Sequence, residues 1–135
     1  LDGKRITIPN DGEGLIQLGN VADIADCFVL ALDHPDKTGV YNASSRYAIT
    51  HNYYVRLLGQ ALGVEPRVRY LPVERILKRW PKKANARALR FFAAHMCFTV
   101  RKAERELGYD PKVTPEMSVE ESVRWMLDSG LIHRG

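Results

Sequence analysis

Residues 21–32, Val-Ala-Asp-Ile-Ala-Asp-Cys-Phe-Val-Leu-Ala-Leu, constrain the fold more than any other stretch of the chain. Val21, Ile24, Ala25, Phe28, Ala31 and Leu32 recur at the i, i+3, i+4, i+7 spacing of an amphipathic helix. Val29 and Leu30 fall off that stripe, so the segment is apolar on more than one face. A helix of this kind expects cover on more than one side. His34-Pro35-Asp36 stops it, and residues 39–43, Gly-Val-Tyr-Asn-Ala, read as a short strand.

Before this helix, Ile6 and Ile8 alternate with polar residues on a strand, and Asn10-Asp11-Gly12-Glu13-Gly14 has the composition of a turn. Residues 15–18 read as the returning strand, so the first 19 residues are expected to form a β-hairpin. After it, Thr50 is a good N-cap for a helix over 52–62, which Gly63 closes. A strand over 67–71, a helix over 73–79 ending at Trp80-Pro81 and a helix over 84–94 follow. Thr99 is expected to cap a helix over 100–107 that Gly108 ends, and Ser118-Val119-Glu120-Glu121 reads as a capping box opening the last helix. The sum is a mixed α/β chain, α+β if taken alone, with about five helices and four short strands.

The 135 residues suit a single domain spanning 1–135, and 45% hydrophobic with 27% charged residues excludes a disordered or collagen-like chain. No apolar run approaches the roughly 18 residues of a membrane span, and no secretory signal pattern opens the chain. No membrane partner is therefore expected. Cys27 and Cys97 stand far apart, each in an apolar stretch, which points to buried, reduced thiols and a cytoplasmic setting.

Charge is unevenly placed. Arg67, Arg69, Arg75, Lys78, Arg79, Lys82, Lys83, Arg87 and Arg90 face only Glu74 within residues 67–90, against a net charge of +4 for the whole chain. Such a stretch is either a solvated face or an anion site for substrate phosphate, nucleic acid or an acidic partner. Metal and nucleophile chemistry find no support. His34, His51, His95 and His133 are scattered without ligand spacing, Ser44-Ser45 lacks a nucleophile elbow, and His95 beside Met96 and Cys97 reads as a buried strand residue.

Four phrases in order carry a resemblance. They begin at Gly14 (GLIQLGNVADIA), Gly39 (GVYNAS), Thr99 (TVRKAERELGYDP) and Ser118 (SVEESVRWM). Together they resemble the C-terminal half of extended short-chain dehydrogenase/reductase proteins, the NAD-dependent epimerase/dehydratase family. Each phrase also has a local reading. Asp23 sits near a helix N-terminus where a carboxylate is favoured, Asn42 suits a turn, and Leu107-Gly108-Tyr109-Asp110-Pro111 is a helix stop.

The resemblance implies hydride chemistry with NAD or NADP in a full-length parent. That chemistry calls for a glycine-rich turn opening a helix and a Tyr-x-x-x-Lys pair. Neither pattern occurs here, since none of Tyr41, Tyr47, Tyr53, Tyr54, Tyr70 and Tyr109 has a lysine four residues on. No catalytic, cofactor-binding or metal-binding residue is therefore assigned. The implied role is a substrate-binding and assembly module whose partner is a Rossmann half or a second copy of the chain. Substrate contacts fall to Gln17, Asn20, Arg87 and Arg90. The family's substrate arginine is replaced by Ile16 and its histidine by Asn20, which departs from a standard nucleotide-sugar pocket. The alternative is an RNA- or polyanion-binding protein of the same superfamily, using Arg67, Arg69, Lys78, Arg79, Lys82 and Lys83.

Overall fold

The computed structural model describes residues 5–82 and 85–133. In chain order the elements are β1 (Ile6–Pro9), β2 (Leu15–Ile16), α1 (Val21–Asp33), β3 (Ile49–Thr50), α2 (His51–Leu62), β4 (Val68–Leu71), α3 (Val73–Arg79), α4 (Ala86–Ala93), α5 (Arg101–Leu107) and α6 (Pro115–Asp128). The mixed α/β class expected from the sequence is the one observed, with six helices among the described residues.

The first 19 residues are not a hairpin. β1 runs parallel to β4, with Ile6 opposite Val68 and Pro9 opposite Leu71, while β2 runs antiparallel to β3. Asn10 (φ 56°) and Gly12 (φ 79°) do turn the chain, but onto the start of α2. The carbonyls of Gly12 and Gly14 accept the N–H groups of Asn52 and His51, each at 3.1 Å. A Cβ on Gly12 would push into the Asn52 side chain, and the φ of 79° is one that glycine adopts without strain. The parallel pair needs a long crossover, and α1 and α2 both lie within it.

The strand expected over 39–43 does not form. Val40 offers its carbonyl to the Lys102 ammonium at 3.2 Å, and Asn42 Nδ2 donates to the Thr99 carbonyl at 3.3 Å. Asn42 thus bonds across the fold and not within a local turn. Extended backbone becomes a strand only beside a ladder partner, and no described strand lies there.

Helix ends follow local chemistry more closely. Asn20 caps α1 by accepting the Ala22 N–H at 2.9 Å, and Thr50 caps α2 by accepting that of Tyr53 at 3.1 Å. Gly63 and Gly108 close α2 and α5 in the left-handed conformation. Two starts move. α5 begins at Arg101, whose N–H the Thr99 hydroxyl still accepts at 3.3 Å. α6 begins at Pro115 instead of Ser118, because Thr114 caps it and proline has no N–H to leave orphaned at the first position.

Two groups of buried side chains hold the elements together. Cys27, Val100, Ala103, Leu107 and Tyr109 join α1 to α5 and the segment after it. Ile49, Leu57, Val119 and Val123 join β3 and α2 to α6. In α1 the side chains turned inward are Asp23 and Cys27, with Leu30 packed beside them. The apolar stripe that periodicity picks out points the other way. Val21 and Leu32 are each 80% exposed and Phe28 is 70% exposed.

Candidate functional site

The two residues expected before α1 are struts of the scaffold. Gln17 donates from Nε2 to the Ser45 carbonyl at 2.7 Å and accepts the Phe98 N–H on Oε1 at 2.6 Å. It ties the segment after α4 to the one before β3. Asn20 is 7% exposed, caps α1 with its oxygen, and donates from its amide to Glu121 Oε2 at 2.8 Å. The start of α1 is therefore closed by protein groups. Gly19 ahead of it packs against Ile24 and Ser44, so the residues present form no cradle for a dinucleotide pyrophosphate there.

Arg87 and Arg90 lie exposed on α4. Arg90 pairs with Glu74 of α3 at 3.1 Å. Among the described residues no hydrogen bond links either arginine to Gln17 or Asn20. The structure does not gather the four residues into one bonded cluster.

The basic residues divide. Arg69 on β4 and Arg75, Lys78 and Arg79 on α3 line one open cavity of about 400 Å³ around Leu71. The alternation of β4 puts Arg69 and Leu71 on one face. The i, i+3, i+4 spacing of Arg75, Lys78 and Arg79 puts them on one face of α3. Arg67 and Lys82 are exposed outside this cavity, and Lys83 lies outside the described residues.

A second cavity, about 800 Å³, runs between α2 and α6 and is lined by Tyr53, Leu57, Glu116, Glu120, Arg124 and their neighbours. Glu116 stands in the first turn of α6. The Tyr47 hydroxyl donates to it at 2.7 Å and Tyr53 adds a further bond, which holds its carboxyl down at about 2. The same bonds push both phenols up. No sequence spacing announces this trio, because Tyr47 precedes α2 and Glu116 is 69 residues further on.

Two side chains expected to be buried are not. Cys97 is exposed and so is His95, whose Nδ1 accepts the Leu15 N–H at 3.3 Å. Both follow α4 in a segment that pairs with β2 through a single backbone bond, Met96 N–H to the Leu15 carbonyl, so one side of it stays in water. Cys27 is buried as expected, and burial pushes its thiol up. No group of His, Cys, Asp and Glu among the described residues could hold a metal ion.

Taken together, these elements and their order form part of the extended short-chain dehydrogenase/reductase fold seen in NAD-dependent epimerases and dehydratases. UDP-glucose 4-epimerase from Bifidobacterium longum, solved with NAD+ and UDP, superposes with a TM-score of 0.68 at 21% identity over 94% of this chain and 36% of that one. dTDP-glucose 4,6-dehydratase from Bacillus anthracis, solved with NAD, gives 0.69 at 19% identity over 98% of this chain and 37% of that one. ADP-L-glycero-D-manno-heptose-6-epimerase from Helicobacter pylori gives 0.68 at 22% identity over 90% and 33%. No family model matches the chain. Among curated proteins, an uncharacterized protein of Methanocaldococcus jannaschii is 23% identical over 127 residues, 94% of this chain and 34% of that protein. The chain thus spans about a third of the length of these proteins.

Proposed function

We propose that this chain is the substrate-side and assembly module of an NAD(P)-dependent epimerase, dehydratase or reductase, corresponding to the C-terminal part of such a protein and not catalytic by itself. The observation that carries this reading is the uncovered outer stripe of α1. Val21, Phe28, Val29 and Leu32 stand between 56% and 80% exposed on a helix whose opposite face is already packed. Burying apolar surface is worth about 25 cal/mol per Å², so such a stripe favours a partner. The partner is a Rossmann-type half that brings the glycine-rich turn, the Tyr-x-x-x-Lys pair and the dinucleotide. A second copy of this chain is the substitute when that half is lacking. None of the helices among the described residues is long and apolar enough to cross a membrane.

The test is to express the chain alone and together with a dinucleotide-binding half of this fold, and to follow mass by sedimentation and NAD(H) binding by calorimetry. The expected result is self-association of the chain alone without dinucleotide binding, and a one-to-one complex that binds NAD(H) when the half is supplied. Phe28→Glu with Leu32→Glu should abolish both associations. Micromolar NAD(H) binding by the chain alone, or a monomer that ignores the added half, overturns the reading.

A further inference from the structure

The cavity between β4 and α3 has no part in that reading and holds more positive charge than the fold accounts for. Arg69, Arg75, Lys78 and Arg79 line it with Leu71 and no carboxylate. None of the four forms an ion pair among the described residues. The one acidic residue of the stretch, Glu74, is taken by Arg90.

Arg69 is half-buried, and its Nε is out of water without a hydrogen-bond partner. Its guanidinium lies 6.0 Å from the centre of the Trp80 ring, and that of Arg79 lies 5.3 Å from the same centre. One indole therefore orients two of the four cations.

Holding these cations together is unfavourable in the chain alone. Like charges at i, i+3 and i, i+4 destabilise a helix. All four cations border this one cavity of about 400 Å³, and charges nearer than the screening length of about 8 Å at physiological salt repel one another. The helix dipole favours Lys78 and Arg79, which stand in the last turn of α3. It does nothing for Arg69 on the strand, and Arg75 sits nearer the other end. An anion in the cavity removes the repulsion from all four.

The size and shape select the anion. Ligand cavities run from about 300 to 1,000 Å³, and this one, at about 400 Å³, takes a small ligand. Its cations converge from two elements onto one hollow and do not form a row. Arg67 and Lys82 lie outside it and Arg90 is neutralised, so the track that a long polyanion needs is interrupted. Guanidinium groups bind phosphate oxygens through paired N–H donors, and the lysine adds a point charge.

We infer that the β4–α3 cavity binds a small, soluble, multiply charged phosphate anion through Arg69, Arg75, Lys78 and Arg79. The site is separate from Gln17, Asn20, Arg87 and Arg90, and it stands whether or not the module reading holds, because its readout involves no dinucleotide.

The probe is inorganic pyrophosphate, titrated into protein carrying Trp125→Phe so that Trp80 is the only indole. Trp125 is 62% exposed, which makes the exchange tolerable. Saturable change in Trp80 emission is expected, weakening as salt rises. Arg75→Gln with Arg79→Gln should weaken binding by about tenfold or more, while Arg67→Gln with Lys82→Gln should change it by less than about twofold. Circular dichroism confirms that both double variants fold. Absence of saturation at millimolar pyrophosphate overturns the site. Equal losses in the two double variants overturn it in favour of a diffuse basic field. Binding of a single-stranded oligonucleotide that pyrophosphate fails to displace overturns it in favour of an extended polyanion surface.

Discussion

The Tyr109 hydroxyl donates to the carbonyl of Ser44 at 3.1 Å, and both residues are buried. Sixty-five residues separate them in the chain. The bond fastens the segment after α5 to the loop that follows residues 39–43, beside the buried face of α1.

Burial, with a lesser contribution from the Asp23 charge, pushes the Tyr109 phenol up to about 12. The folded state therefore favours the neutral phenol more than the unfolded state does. The stability this confers is complete below the ordinary phenol value of 10 and is lost as pH climbs from there towards 12. Tyr109→Phe leaves the Ser44 carbonyl without its donor and should cost about 1–2 kcal/mol at neutral pH. Urea unfolding of the two proteins from pH 8 to pH 12 should show their difference shrinking at the alkaline end.

Asp23 is 4% exposed, and its two oxygens accept the backbone N–H groups of Lys112 and Val113 at 2.9 and 3.0 Å. Asp23→Ala leaves both donors without acceptors and should destabilise by about 3 kcal/mol. Asp23→Asn keeps one acceptor and should lose roughly half as much. Matched losses in chemical denaturation would show that the carboxylate has no special role as a double acceptor.

The depressed carboxyl of Glu116 makes an acid-side prediction. Its contribution is present above the ordinary value of 4.5 and is lost as pH falls from there to about 2. Glu116→Gln should be less stable than the parent at pH 7 and should approach it near pH 2. Tyr47→Phe should show the same trend, since Tyr47 is the principal donor. Thermal melts across that range measure it.

The two cysteines should separate by reactivity. Exposed Cys97 should react with a thiol reagent at the rate of an unhindered thiol. Cys27, buried against α5 and with its thiol pushed up, should react only as fast as the fold opens. A count of one fast thiol in native protein and two in denaturant is the expected outcome.

Much of the local structure was legible in residue order, because the forces that set it act within a few residues. Thr50, Gly63 and Gly108 end helices by bonding or turning their own neighbours, and the structure has them where the sequence places them. The alternating and helical spacings marked most elements for the same reason. The mixed α/β class and the likeness of four phrases to an extended dehydrogenase fold were also readable.

Partners distant in the chain were not. Ile6 to Pro9 could pair with the next strand or with a later one, and only the ladder with Val68 to Leu71 decided it. Asp23 does stand in the first turn of α1, as residue order implies, but that it also holds the loop at Lys112 and Val113 was not readable. The trio of Glu116, Tyr47 and Tyr53 and the convergence of Arg69 with Arg75, Lys78 and Arg79 depend on which elements lie side by side. The helix over 21–33 shows the division most plainly. Its sequence determined that two faces want cover, because hydrophobicity is a property of each side chain. Tertiary structure alone decided that Asp23, Cys27 and Leu30 turn inward against α5 while Val21, Phe28 and Leu32 stay outside, because burial requires a surface to pack against.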